Sequence, residues 1–121
     1  MTNRLEDTIL TNLIFNEEFT RKALPFLKDE YFGTRSDKIL FNCIDDFVNK
    51  YNNLPTKETL IIELNARKDI NEEEFKAIKT TINGLTPTEV DLQWILDTTE
   101  RFCKDKAVNN AVLNGIKILD G

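Results

Sequence analysis

Ile39, Leu40, Cys43, Ile44, Phe47, Val48 and Tyr51 recur in a stripe that repeats every three or four residues. At 3.6 residues per turn these positions share one side of a helix, whereas in a strand they would scatter over both faces. Apolar residues elsewhere also recur three and four apart, and the period-two alternation of a half-buried strand is absent. The expected fold is therefore all-α: a small globular helical head of about five short helices, then a long C-terminal helix. At 121 residues the chain has the length of one domain.

Capping residues divide the pattern into elements. Asn3 with Glu6 reads as a capping box opening a first helix whose inward face is Leu5, Ile9 and Leu13. Asn16 followed by Glu17 and Glu18 opens a second, carrying Phe19, Ala23 and Leu24, and Pro25 kinks or ends it because proline cannot donate to the preceding turn. The block Pro25 to Phe32 packs aromatic rings between acids, ahead of a third helix opened by Thr34 or Ser36. Asn52-Asn53-Leu54-Pro55 is a turn, after which Thr56 caps a fourth helix bearing Leu60, Ile61 and Leu64. Asn71 with Glu74 is a second capping box, for a helix through Phe75, Ile78 and Ile82, and Gly84 fits a left-handed closing position. Phe41, Ile44 and Phe47 are expected to anchor the core.

The last element is longer than its domain. Thr86-Pro87-Thr88-Glu89 offers a start, and no strong breaker follows until Gly115. Some thirty residues make a helix of roughly 45–48 Å, against a diameter of about 35 Å for a domain of this size. Val90, Trp94, Ile95, Thr98 and Phe102 form the face expected to lie on the body, Trp94 packing the helix against it. Lys104-Asp105-Lys106 interrupts that stripe, and Val108, Val112, Ile116 and Leu119 resume it. The chain is thus read as a head over 1–103 and a projecting arm over 104–121. The resumed stripe is either an interface with another chain or a face folded back onto the core.

Several function classes are disfavoured. A net charge of −5, with basic residues at most in pairs (Arg21-Lys22, Arg67-Lys68), argues against direct nucleic-acid binding. No apolar run approaches the ~20 residues of a membrane span, and Arg4, Glu6 and Asp7 are unlike a signal peptide, so no membrane partner and a cytoplasmic location are expected. Histidine is absent, which removes the commonest metal ligand and general base. Cys43 and Cys103 read as buried reduced thiols, and the four glycines form no phosphate loop. Asp45-Asp46 and Glu72-Glu73-Glu74 read as solvated helix faces, the latter favoured by the helix dipole. No catalytic residue, metal or cofactor is expected, and this chain is not read as an enzyme.

The order of elements resembles the N-terminal domain of replicative hexameric helicases of the DnaB type, most like that of T-even-like phages. The residues carrying the likeness are Ile9-Leu10, Leu13-Ile14-Phe15, Phe19, Pro25 through Phe32, Phe41, Ile44, Val48, Tyr51, Leu54-Pro55-Thr56 and Leu60. Glu74-Phe75, Ile78-Lys79-Thr80, Ile82, Leu85, Trp94-Ile95, Thr99-Glu100 and Phe102 continue it over nearly the whole chain. In that family a helical head is followed by a helical hairpin, hairpins pair subunits into a collar on the hexameric ring, and the collar communicates with primase. The ATPase motor lies in a separate C-terminal domain. The resemblance implies an excised head domain, or a piece of a longer phage helicase in the host cytoplasm, ending near the close of the first hairpin arm. Implied partners are a second copy of the chain (a weak dimer or higher oligomer), primase and the C-terminal helicase domain of the parent protein. The alternative is a free-standing helical adaptor that mimics this domain to bind primase or a helicase. A linker and phosphate loop encoded after Gly121 would favour the first reading, a stop codon the second.

Overall fold

The computed structural model describes the backbone of residues 4–120 and the side chains of residues 5–113. Six α-helices follow one another: α1 (Arg4–Phe15), α2 (Glu17–Ala23), α3 (Arg35–Tyr51), α4 (Lys57–Ala66), α5 (Glu72–Gly84) and α6 (Leu92–Asp120). Two 3-10 turns, Leu24–Phe26 and Asp29–Tyr31, link α2 to α3, and among the described residues there is no strand. The all-α expectation holds.

Side-chain oxygens start most of these helices. Asn16, Thr34, Thr56 and Asn71 each accept a backbone N–H three residues on, from Phe19, Asp37, Thr59 and Glu74. At Asn71 the box is complete, since Glu74 accepts the Asn71 N–H in return. Each cap satisfies a donor that the helix geometry leaves orphaned. Pro25 ends α2 by tightening its last turn into the 3-10 turn Leu24–Phe26. Asn52 takes φ 55 and closes α3 in the left-handed region. The box expected at Asn3 lies outside the described residues.

α1 is the central element. Ile9, Leu10, Leu13 and Ile14 are buried, and so are Thr11 and Asn12, which makes its inward face wider than the expected Leu5, Ile9, Leu13 stripe. Its buried polar groups turn back on the helix: Thr11 Oγ1 donates to Asp7 O at 2.7 Å and Asn12 Nδ2 to Thr8 O at 2.8 Å. Ile9, Leu10, Leu13 and Ile14 share one core with Phe19 of α2, Phe32, the Ile39–Ile44 face of α3, Leu60, Leu64, Ile78, Ile82, and Ile95 and Phe102 of α6. Phe32 joins the layers by stacking on Phe41 at 5.2 Å and meeting Phe102 at 5.7 Å.

Four expectations need correction. Gly84 is the last residue of α5 with no positive φ, and the helix ends at Leu85 in extended backbone, because the chain leaves it straight and needs no left-handed reversal. α6 starts at Leu92, after the Thr86–Glu89 segment; the side-chain oxygen that caps it belongs to Asp91, whose Oδ2 accepts the Trp94 N–H at 2.9 Å. Phe47 is only half-buried, at the end of α3 against Tyr51, where the rings lie 4.8 Å apart. Trp94 is 51% exposed, so it does not pack α6 onto the body.

Candidate interaction surface

Burial along α6 shows which of its faces is free. Ile95, Thr99 and Phe102 are buried, with Leu92, Leu96 and Cys103 packed beside them, so the helix lies on α2 and on the turn Asp29–Tyr31 through a narrow seam. At 100° per residue, Trp94, Arg101 and Asp105 point away from that seam. Along 29 residues, about 44 Å, α6 runs unbroken through Lys104-Asp105-Lys106. Asn110 Nδ2 donates to Glu30 Oε2 at 3.2 Å, so the helix touches the body as far as Asn110.

Beyond the charged break the apolar residues stay in solvent: Val108 is 61% and Val112 55% exposed, one turn apart on one face. Leu113 is exposed on the neighbouring face. The side chains of Ile116 and Leu119 lie outside the described residues. Within the described part, the resumed stripe does not fold back onto the core. Trp94, expected against the body, is exposed on the same side as Val108, and its spacing of fourteen residues from Val108, two heptads, was a legible sign of a shared face.

Two clefts flank α6. One, of about 570 Å³, lies between α2, the first 3-10 turn and α6, with Leu96, Thr99 and Cys103 on its α6 wall and the exposed ring of Phe26 at its edge. The Thr99 hydroxyl there has no hydrogen-bond partner. The other, of about 440 Å³, lies between Glu30–Gly33 and the Asn109–Leu113 turn of α6. Neither gathers a nucleophile with a base. Burial pushes both the Cys43 and the Cys103 thiols up, which keeps them protonated and unreactive. No group of acids and cysteines among the described residues is arranged to hold a metal ion, and none of the described helices is long and apolar enough to cross a membrane.

An acidic seam joins α1 to α3. Glu6 is buried, and its Oε2 accepts the Gly33 N–H at 3.2 Å. Asp37 faces it. Burial raises the Asp37 carboxyl to about 6, the Thr34 hydroxyl opposes that rise, and a hydrogen bond with Glu6 and the charges of Glu6 and Asp7 add to it.

No protein-family model matches the sequence. The chain is 30% identical over 112 residues to the DnaB-like replicative helicase of Enterobacteria phage T4. The match takes in 93% of this chain and 23% of that protein, so the chain spans about a quarter of the length of this relative. The likeness read from the colinear packing residues is therefore borne out, at a span consistent with an N-terminal domain of the longer protein.

Proposed function

We propose that this chain, a relative of a DnaB-like replicative helicase, is the N-terminal assembly and protein-interaction domain of a phage replicative DNA helicase. In this reading it supports the hexamer collar and contacts primase during DNA replication, while ATP hydrolysis and unwinding belong to the C-terminal helicase domain of the parent protein. The observation that carries the reading is the exposed pair Val108 and Val112 on a helix longer than the body it lies on, in a chain colinear with such a helicase. Burying an aliphatic side chain is worth ~1.5–3 kcal/mol, so Val108, Val112, Ile116 and Leu119 together supply roughly 6–12 kcal/mol per subunit. Association entropy opposes this by ~4–15 kcal/mol, which makes the expected complex of this chain a weak, concentration-dependent oligomer.

Sedimentation equilibrium tests the assembly role. The wild-type chain is expected to self-associate with rising concentration, and Val112→Asp with Ile116→Asp to give a folded monomer. Titration of fluorescently labelled chain with purified primase tests the second role. A chain that stays monomeric at millimolar concentration and leaves primase unbound would overturn the proposal.

A further inference from the structure

We propose that the cleft between α2, the Leu24–Phe26 turn and α6 binds a small, neutral, aromatic molecule that carries one hydroxyl group. At about 570 Å³ the cleft falls within the ~300–1,000 Å³ of small-molecule pockets, and it shares their make-up, apolar walls with few polar groups. Ala23 of α2 and Leu96, Cys103 and Ala107 of α6 line it, and the Phe26 ring, 71% exposed, stands at its edge. Ala23 and Ala107 carry only a methyl group each, so they leave the space that larger side chains would fill. An aromatic ring suits these walls, because it can pack on the Phe26 ring and touch the Cys103 sulfur.

Thr99 supplies the polar requirement. It lines the cleft, is 3% exposed, and its hydroxyl has no hydrogen-bond partner among the described residues. Thr11, Thr20, Thr80 and Thr81, also on helices, each donate to the carbonyl four residues back. Thr99 makes no such bond to Ile95. A hydroxyl shielded from water and left unpaired is costly, and a ligand hydroxyl restores the bond, since it can accept from Thr99 Oγ1 or donate to it. The charges at the rim select a neutral ligand. Lys22 is paired with Glu18 at 3.4 Å, Lys104 with Glu100 at 3.0 Å, and Asp97 accepts from Gln93 at 2.8 Å. An ion entering the cleft would shed its hydration and find these partners already engaged, whereas a neutral ring loses little by leaving water.

Two probes of nearly equal shape test the site on the whole chain: β-naphthol, which has the hydroxyl, and naphthalene, which lacks it. Titrations followed by amide chemical shifts are expected to show both probes binding, with shifts centred on Ala23, Leu96, Thr99 and Cys103. β-Naphthol is expected to bind about fivefold more tightly, the ratio that a net hydrogen bond of ~1 kcal/mol gives. Thr99→Val keeps the shape and removes the hydroxyl, so it is expected to bring the two affinities together. It is also expected to be no less stable than wild type in urea, because no bond is lost. Ala107→Trp, at an exposed position on the rim, is expected to block both probes with helical content unchanged by circular dichroism. Failure of either probe to bind, shifts centred elsewhere, or binding that survives Ala107→Trp overturns the site. A preference for β-naphthol that persists in Thr99→Val, or is absent from the wild type, overturns the role of the hydroxyl and with it the ligand class. A clear loss of stability in Thr99→Val does the same, since it would show that the hydroxyl already has a partner.

Discussion

The ring of Phe102 lies 5.7 Å from that of Phe32, and through it α6 is tied to α3 by the Phe32–Phe41 stack at 5.2 Å. Trp94, two turns earlier on the same helix, is 51% exposed. The smaller ring therefore holds α6 to the body and the larger does not. Phe102→Ala is expected to cost ~3–5 kcal/mol in chemical denaturation, since it removes a buried ring and leaves a cavity between helices. Trp94→Ala, measured at a concentration where the chain is monomeric, is expected to cost less than about 1 kcal/mol. Equal losses at the two positions would show that α6 is seated on another face.

Local chemistry made much of this fold legible. Asn16, Thr34, Thr56, Asn71 and Pro25 act where they stand, because a cap or a missing N–H is decided within four residues. Rotation about a helix axis is decided at longer range, and there the reading slipped. Moving the start of α6 from Thr86–Glu89 to Asp91 goes with a change of face, from Trp94 and Thr98 to Ile95 and Thr99, where a helix lying on a body through a narrow seam tolerates a large ring on its outer side. The burial of Glu6 was not foreseen for a related reason. Its partner, Gly33, is 27 residues away, and no local pattern announces a carboxylate that accepts a backbone N–H across two helices. The solvent exposure of the resumed stripe was legible at Val108 and Val112, whereas that of Trp94 was not, because its apolar character fits core and surface equally well.

The raised Asp37 carboxyl gives stability a pH dependence. An acid raised from 3.8 to about 6 prefers to be protonated in the fold, so its contribution is fully present below about pH 4 and is lost as pH rises through about 6. The bare shift corresponds to about 3 kcal/mol. Solvent reaches one side of the group, and loss of its charge also forfeits a favourable interaction with the α3 dipole, so about 1 kcal/mol is the expected net effect. Asp37→Asn keeps a hydrogen-bond donor toward Glu6 and is expected to be more stable than wild type by that amount at pH 7, with the difference vanishing near pH 4. Urea denaturation at pH 4, 5.5 and 7 reads it out. A variant less stable at pH 7 would mean that the ionised aspartate is the form the fold favours.

The capping box at Asn71 makes a separable contribution. Asn71 Oδ1 accepts the Glu74 N–H at 2.8 Å, while the Glu74 carboxylate accepts the Asn71 N–H and also pairs with Arg35 of α3. Asn71→Ala removes only the first bond and is expected to cost ~1 kcal/mol. Glu74→Ala removes the return bond and the tie to Arg35, an exposed pair worth ~0.2–1 kcal/mol, and is expected to cost slightly more. With Arg35→Ala in the background, the two losses should become equal. Thermal denaturation of the three single and two double variants closes the comparison. If Glu74→Ala stays costlier after Arg35 is gone, the carboxylate stabilises α5 by some route other than this pair.

Nucleic-acid binding by this chain is expected to be negligible. Its net charge is −5, and six of its sixteen Lys and Arg residues are paired with acids. Arg21 pairs with Glu17, Lys22 with Glu18, Arg35 with Glu74, Arg67 with Asp69, Lys76 with Glu72 and Lys104 with Glu100. A phosphate approaching any of these must displace a carboxylate already in place, and the acidic balance of the whole chain opposes the counterion release that drives such binding. Non-specific binders reach dissociation constants of ~10⁻⁴ to 10⁻⁶ M at physiological salt, and this chain is expected to fall short of that range even at low salt. Fluorescence anisotropy with labelled single-stranded DNA at low ionic strength makes the measurement. Micromolar affinity that weakens steeply with added salt would show that a basic surface assembles here, and would move the domain from a protein-contact role to one on the DNA itself.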